Sequence, residues 1–109
     1  MDTRTLLNDT PERLIERYRT VLEASGIPVE QVILFGSYAK KKNKPWSDLD
    51  LCVVSKSFGK NILRERMMLA SLTVDIDTMI EPHPYHPKDL ADKYDPLATE
   101  IRCHGVRVA

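Results

Sequence analysis

The chain has 109 residues, the length of one domain, and its 42% hydrophobic and 29% charged content is that of a globular protein with a single core. Sixteen Lys and Arg balance sixteen Asp and Glu, which argues against a general nucleic-acid coat built on excess positive charge. No purely apolar run exceeds four residues, so no segment matches a bilayer span of about 20. No basic-then-apolar leader opens the chain, and Cys52 and Cys103 form no CxxC spacing, so neither a disulfide framework nor a zinc site is expected. A cytoplasmic protein of one domain, residues 1–109, is the expectation.

The first nine residues are polar and read as a loose lead-in. Thr10-Pro11 then forms a cap and first-turn proline, and Leu14, Ile15, Tyr18, Val21 and Leu22 line one helical face up to Gly26. Residues 29–35 are β-branched and aromatic and predict a buried strand, followed by Gly36-Ser37-Tyr38-Ala39 as a turn opening a short helix through Lys42. A second strand is expected over 48–54. A helix over 62–72 follows, with Leu63, Met67 and Ala70 on one side and the methionines as core filling. Val74, Ile76, Thr78 and Ile80 alternate with Asp75, Asp77 and Met79, which predicts a third strand over 73–80. Pro82, Pro84 and Pro87 exclude a central strand beyond Glu81. Two short helices, 87–94 and 96–104, and a small edge strand over 106–108 complete an α+β (mixed α/β) fold. Its sheet of about three strands plus an edge is flanked by helices, and its open ends offer a route to a homo-oligomer.

The chemistry concentrates in Gly36-Ser37 and, ten residues later, Asp48-Leu49-Asp50. Residues i and i+2 of a strand share a face, with Cα atoms about 7 Å apart, so Asp48 and Asp50 present carboxylates side by side. Oxygen ligands at that spacing suit Mg²⁺ or Mn²⁺ completed by substrate phosphates. A glycine directly after a buried strand admits close approach of a ligand, and the helix it opens would aim N–H groups at an anion. Together these support metal-assisted phosphoryl or nucleotidyl transfer from a nucleoside triphosphate.

The pattern GSYAKKKNKPWSDLD after a hydrophobic strand resembles the minimal nucleotidyltransferases of the DNA polymerase beta-like superfamily, over roughly residues 29–80. The resemblance implies Gly36 and Ser37 at the triphosphate, Asp48 and Asp50 as metal ligands and catalytic residues, and a third carboxylate on the next strand. Asp75 is the choice for that catalytic and metal-binding carboxylate, with Asp77 a competitor and Glu81 a more distant one. The family often has glycine where Lys41 stands; lysine is compatible with a helix there. By the same resemblance the expected activity is Mg²⁺-dependent transfer of NMP, AMP from ATP foremost, to a hydroxyl of a partner protein or other acceptor. The expected partner is a HEPN-type helical protein in a toxin–antitoxin pair. The alternative is an inactive module of the same fold that acts by binding its partner.

Other residues carry blander readings. Lys40, Lys41, Lys42 and Lys44 read as a solvated turn, and Tyr38 and Trp46 as packing or base-stacking groups. His83, His86 and His104 read as surface or loop histidines, and Cys52 as a small core residue.

Overall fold

A computed structural model describes residues 5–108. The order is α1 (Pro11–Ala24), β1 (Gln31–Phe35), β2 (Leu49–Val54), α2 (Ile62–Ser71), β3 (Ile80–Tyr85), α3 (Pro87–Leu90), α4 (Pro96–His104) and β4 (Val106–Arg107). The strands form one sheet in the order β3-β2-β1-β4. The β1 strand runs antiparallel to β2 and β4, while β2 and β3 are parallel and joined through α2. A mixed α+β architecture with helices flanking the sheet is thus what the sequence predicted.

Each helix starts where its side chains satisfy the free N–H groups of its first turn. Thr10 accepts from Arg13 at α1, Asn61 from Arg64 at α2, and Asp95 from Leu97 and Ala98 at α4. At α2 the cap is reinforced by Glu65, whose carboxylate accepts from the backbone N–H groups of Gly59, Lys60 and Asn61 at 2.9, 3.3 and 3.2 Å. Burial works to raise the Glu65 carboxyl, but these bonds outweigh it and hold the group below the ordinary glutamate value.

The main core lies between one face of the sheet and α1 and α2, where Leu14, Tyr18, Leu22, Val32, Leu49, Leu51, Val53 and Leu69 are closed to solvent. The buried Tyr18 hydroxyl donates to the Leu69 carbonyl at 2.7 Å and ties the two helices together. A smaller cluster on the opposite face packs Phe35, Cys52, Val54 and Tyr85 against Leu90, Ala98 and Ile101. Cys52 is a core residue as expected, its thiol pushed up to about 12 by burial.

Several expected elements are placed differently. The alternation over 73–80 belongs to consecutive turns, in which the N–H groups of Thr73, Ile76 and Asp77 bond to carbonyls three or four residues back. Such bonds close the chain on itself and leave none for a neighbouring strand. The third strand begins at Ile80 and runs through the prolines. At the two ends of the pairing, Met79, just before β3, accepts from the Leu49 N–H, and Tyr85 accepts from the N–H of Ser55, just after β2, so the odd-numbered residues of β3 turn their backbone towards β2. Pro82 and Pro84 therefore face outwards from the sheet edge, where no N–H is needed. The rule against a central strand holds, because β3 is an edge strand, and its prolines deny a further strand the donors it would pair with.

The α2 helix buries Glu65 and Leu69, whereas Leu63 and Met67 are 71% and 66% exposed and are not core filling. The 87–94 helix shortens to α3, with a loop from Ala91 to Asp95. Residues 5–9 are not loose: Leu6 donates to Pro45, and Asn8 bonds to Asp77 and Ile76. Residues 1–4 of that lead-in lie outside the described residues.

Candidate active site

Alternate residues of β2 serve opposite purposes. Leu49, Leu51 and Val53 enter the main core, which turns Asp50 to the other face, and Asp48 precedes it by one pleat at the exposed strand entrance. Asp50 lies opposite Phe35 on β1 and opposite Glu81 on β3. Parallel pairing of β2 and β3 thereby sets two carboxylates on neighbouring strands at the same level. His83 follows Glu81 on the same face of β3, its ring edge-on to Phe35 with centroids 5.1 Å apart. Its Nε2 stands 3.9 Å from Asp50 Oδ1.

One donor atom from each of Asp50, Glu81 and His83 lies within 4.8 Å of the others. Although Glu81 is an exposed residue, partial desolvation raises its carboxyl above the ordinary value, and a hydrogen bond to Asp50 with repulsion from Asp50 and Asp48 raises it further. Carboxylates crowded in this way share a proton or a cation, and the oxygen-rich donor set fits a small divalent ion.

Gly36 is the other half of the corner. Its φ of +73° is left-handed, and a Cβ built there would overlap Asp50 Oδ2. Only glycine therefore lets the turn after β1 lie against the Asp50 carboxylate. Ser37 follows, half-buried. The segment through Lys42 is a compact turn rather than a short helix, closed by Lys40 N–H to Gly36 and Lys42 N–H to Ser37 at 3.2 and 2.9 Å. Lys41 is the physical reason: at φ +56° it leaves the right-handed helical region. Lysine adopts here the conformation that glycine adopts without strain, which corrects the expectation of a helical residue.

Asp48, Asp50, Gly36 and Ser37 all fall at one end of the sheet, but Asp75 does not join them. It is exposed in the turns after α2, beside Glu16 and Arg17 of α1. Asp77 is 3% exposed and structural, accepting from the N–H groups of Asn8 and Met79 at 2.6 and 2.8 Å. The carboxylate that faces Asp50 is Glu81. His83 is likewise no loose surface histidine, whereas His86 caps α3 through Nδ1 and His104 is exposed. The signal for both site residues was present in Ile80-Glu81-Pro82-His83-Pro84-Tyr85, a period-two stretch with both prolines on the other parity. Lys40 pairs with Glu100 of α4 at 2.6 Å, while Lys41, Lys42 and Lys44 are solvated. Trp46 is 66% exposed, and Tyr38 packs against the main core.

The family model for the nucleotidyltransferase domain matches residues 15–94, well over half of the chain. The chain belongs to this family. The domain is accordingly an enzyme of the nucleotidyl-transferring class. Its fold is also that of three solved structures. A toxin–antitoxin structure with AMP-PNP is 21% identical, with a TM-score of 0.61 over 90% of this chain and 72% of that one. The toxin–antitoxin MntA-HpeT, in a form with two Asp-to-Glu substitutions, is 21% identical, with a TM-score of 0.55 over 93% of this chain and 73% of that one. A protein of Sulfolobus solfataricus described as a candidate nucleotidyltransferase is 20% identical, with a TM-score of 0.56 over 92% of this chain and 87% of that one. No curated protein matches the chain. No helix among the described residues of this nucleotidyltransferase domain is long and apolar enough to cross a membrane.

Proposed function

We propose that this domain transfers AMP from ATP, with Mg²⁺, to a hydroxyl of a partner protein. The setting would be a cytoplasmic toxin–antitoxin pair whose other member is a HEPN-type helical protein. The observation that carries the reading is the convergence of Asp50 and Glu81 beside Gly36, at the end of the sheet where Asp48 also lies. In this reading Asp48, Asp50 and Glu81 hold the cation, and Glu81 takes the place expected of Asp75. When bound, the cation neutralises triphosphate charge and makes the acceptor hydroxyl more acidic. The turn at Gly36 and the Ser37 hydroxyl then face the β and γ phosphates, and Asp50, half-buried against Gly36, is held in place between the exposed Asp48 and Glu81. The acceptor hydroxyl releases its proton to solvent, and its oxygen bonds to the α-phosphorus as the bond to pyrophosphate breaks. Two structures of similar fold are toxin–antitoxin structures, one of them with AMP-PNP, which supports ATP and a protein partner.

The test is incubation of the full chain with Mg²⁺ and each labelled NTP, alone and with its partner, read by gel and intact mass. Label transfer is expected with ATP, and it should vanish in Asp48→Asn/Asp50→Asn and in Glu81→Gln but persist in Asp75→Asn. Transfer that survives Glu81→Gln and is lost in Asp75→Asn would return the third carboxylate to Asp75. Absence of both transfer and metal-dependent ATP binding would leave a partner-binding module on a transferase fold.

A further inference from the structure

Both residues that face Asp50 from β3 stand immediately before a proline, in Glu81-Pro82-His83-Pro84. The ring of a proline pushes the residue before it out of the helical region and into extended backbone. Each proline also has its own φ fixed by that ring. Glu81 and His83 are thereby held in the conformation that sets their side chains on one face of the strand. Covalent geometry stiffens β3 at the two positions that supply donors.

His83 is also held from the side. Its ring meets Phe35 edge-on with centroids 5.1 Å apart, and its side chain is only 12% exposed. Nε2 stands 3.9 Å from Asp50 Oδ1, beyond the reach of a direct hydrogen bond. An octahedral ion with bonds of about 2.1 Å spaces neighbouring donors about 3.0 Å apart and opposite ones about 4.2 Å apart. The 3.9 Å gap falls inside that range, and the 4.8 Å that encloses one donor atom each of Asp50, Glu81 and His83 lies close to it. The three donors are spaced for one shared ion rather than for one another.

The nitrogen decides which ion this set suits. Carboxylates and water suit Mg²⁺, a hard ion that dehydrates reluctantly, whereas an imidazole nitrogen favours first-row transition ions. A thiolate would draw the set towards a soft tetrahedral zinc site, but none is available. Cys52 pairs with His83 in the register of β2 and β3, yet it is closed to solvent among apolar side chains. What remains is one nitrogen with two carboxylates.

We infer that Glu81-Pro82-His83-Pro84 is a proline-braced pair of metal ligands, and that His83 makes the site bind a first-row transition dication more tightly than Mg²⁺. The inference rests on the proposed reading that Asp50 and Glu81 hold a divalent ion, and it names the class of that ion. A histidine that served only as a positive neighbour of Asp50 would compete with the ion instead, so its removal would tighten metal binding.

Mn²⁺ tests it, with the full untagged chain and no nucleotide. Binding is read from loss of the free-ion electron paramagnetic resonance signal, and ligation from nitrogen modulation of the electron spin echo. His83, His86 and His104 are the only imidazoles in the chain, so the source of such modulation is assignable. Wild type should show imidazole-nitrogen coupling and hold Mn²⁺ against an equal concentration of Mg²⁺. His83→Leu should lose the coupling and weaken Mn²⁺ binding at least about ten-fold, since even losing a group that supports a ligand costs that much. Its Mg²⁺ affinity should fall far less. His83→Gln, which keeps a polar side chain, should also lose the coupling, so a folding defect in one variant does not decide the outcome. His104→Ala should change nothing. Each reading is repeated with tripolyphosphate, which supplies phosphate oxygens without adding nitrogen. A bound ion without nitrogen coupling, coupling that survives both His83 variants, or Mn²⁺ affinity unchanged or raised in them would overturn the inference and leave the proposed transfer standing. Failure of Mn²⁺ and Mg²⁺ alike to bind under either condition would overturn the proposed function as well.

Discussion

On the face of the sheet covered by α1 and α2, β2 contributes Leu49, Leu51 and Val53, all fully buried. On the opposite face the same strand contributes Asp50, Cys52 and Val54, and only the last two find apolar neighbours. The first face is continuous hydrophobic packing, and the second gives way at one end to carboxylates and an imidazole. One six-residue strand thus serves stability with one parity and chemistry with the other, because successive side chains point to opposite sides. The difference predicts that substitutions on the first face change stability first, and those at the charged end change ligand binding first.

The largest effect should come from Leu51→Ala, which opens a cavity in the main core and costs about 3 kcal/mol, a sizeable part of a small domain's total stability. Urea unfolding should show it, with Mg²⁺–ATP affinity retained by the folded fraction. A loss of affinity that preceded the loss of structure would break the division between the faces.

Next is Glu65→Ala, which strands three backbone N–H groups at the start of α2 and should cost about 1–2 kcal/mol at neutral pH. Because the folded-state carboxyl is held low, its stabilisation is present above the ordinary glutamate value and is lost as pH falls through the lower folded value. Wild type and variant should therefore converge in stability in acid. A constant difference down to strongly acidic pH would mean that packing, not the charge, is what Glu65 supplies.

Lys41→Gly should stabilise by about 0.5 kcal/mol, since glycine adopts the left-handed backbone at φ +56° without the steric cost of a side chain. Thermal unfolding would detect the gain.

The smallest shift is expected from Glu81→Gln, and its sign separates the two faces most clearly. The Glu81 carboxyl is raised in the fold, so the folded chain holds more protons than the unfolded one between the ordinary and the raised value. Stability therefore falls as pH rises through that window, and glutamine should raise the melting temperature slightly above it, without Mg²⁺. Millimolar Mg²⁺ should stabilise the wild type and leave the variant unmoved. A variant destabilised under both conditions would show that Glu81 supports the fold rather than a ligand site.

Much of this architecture was readable in local patterns. The apolar face and caps of α1, the β-branched run of β1, and the glycine after it all depend on residues close in sequence. The outward face of Asp50 was legible because the two-residue period of a strand sends alternate side chains to one side whatever the strand packs against, whereas Asp48, expected in the strand, stands just before β2. The exposed face of α2 was not legible, since periodicity names two candidate stripes and only packing chose Glu65 and Leu69 over Leu63 and Met67. The strand misplaced onto residues 73–80 failed for a related reason. Val74-Asp75-Ile76-Asp77 alternates as a strand does, but nothing local shows that turn bonds have already taken its N–H groups.

Taken alone, the sequence determined the family, the α+β fold, and the glycine–serine turn followed by its two aspartates, because each rests on fixed spacing along the chain. Only the tertiary structure decided that Glu81 and His83, rather than Asp75, stand beside Asp50. Which acid meets Asp50 depends on the register of two parallel strands separated by a whole helix, and a shift of a few residues in where β3 begins exchanges one carboxylate for another.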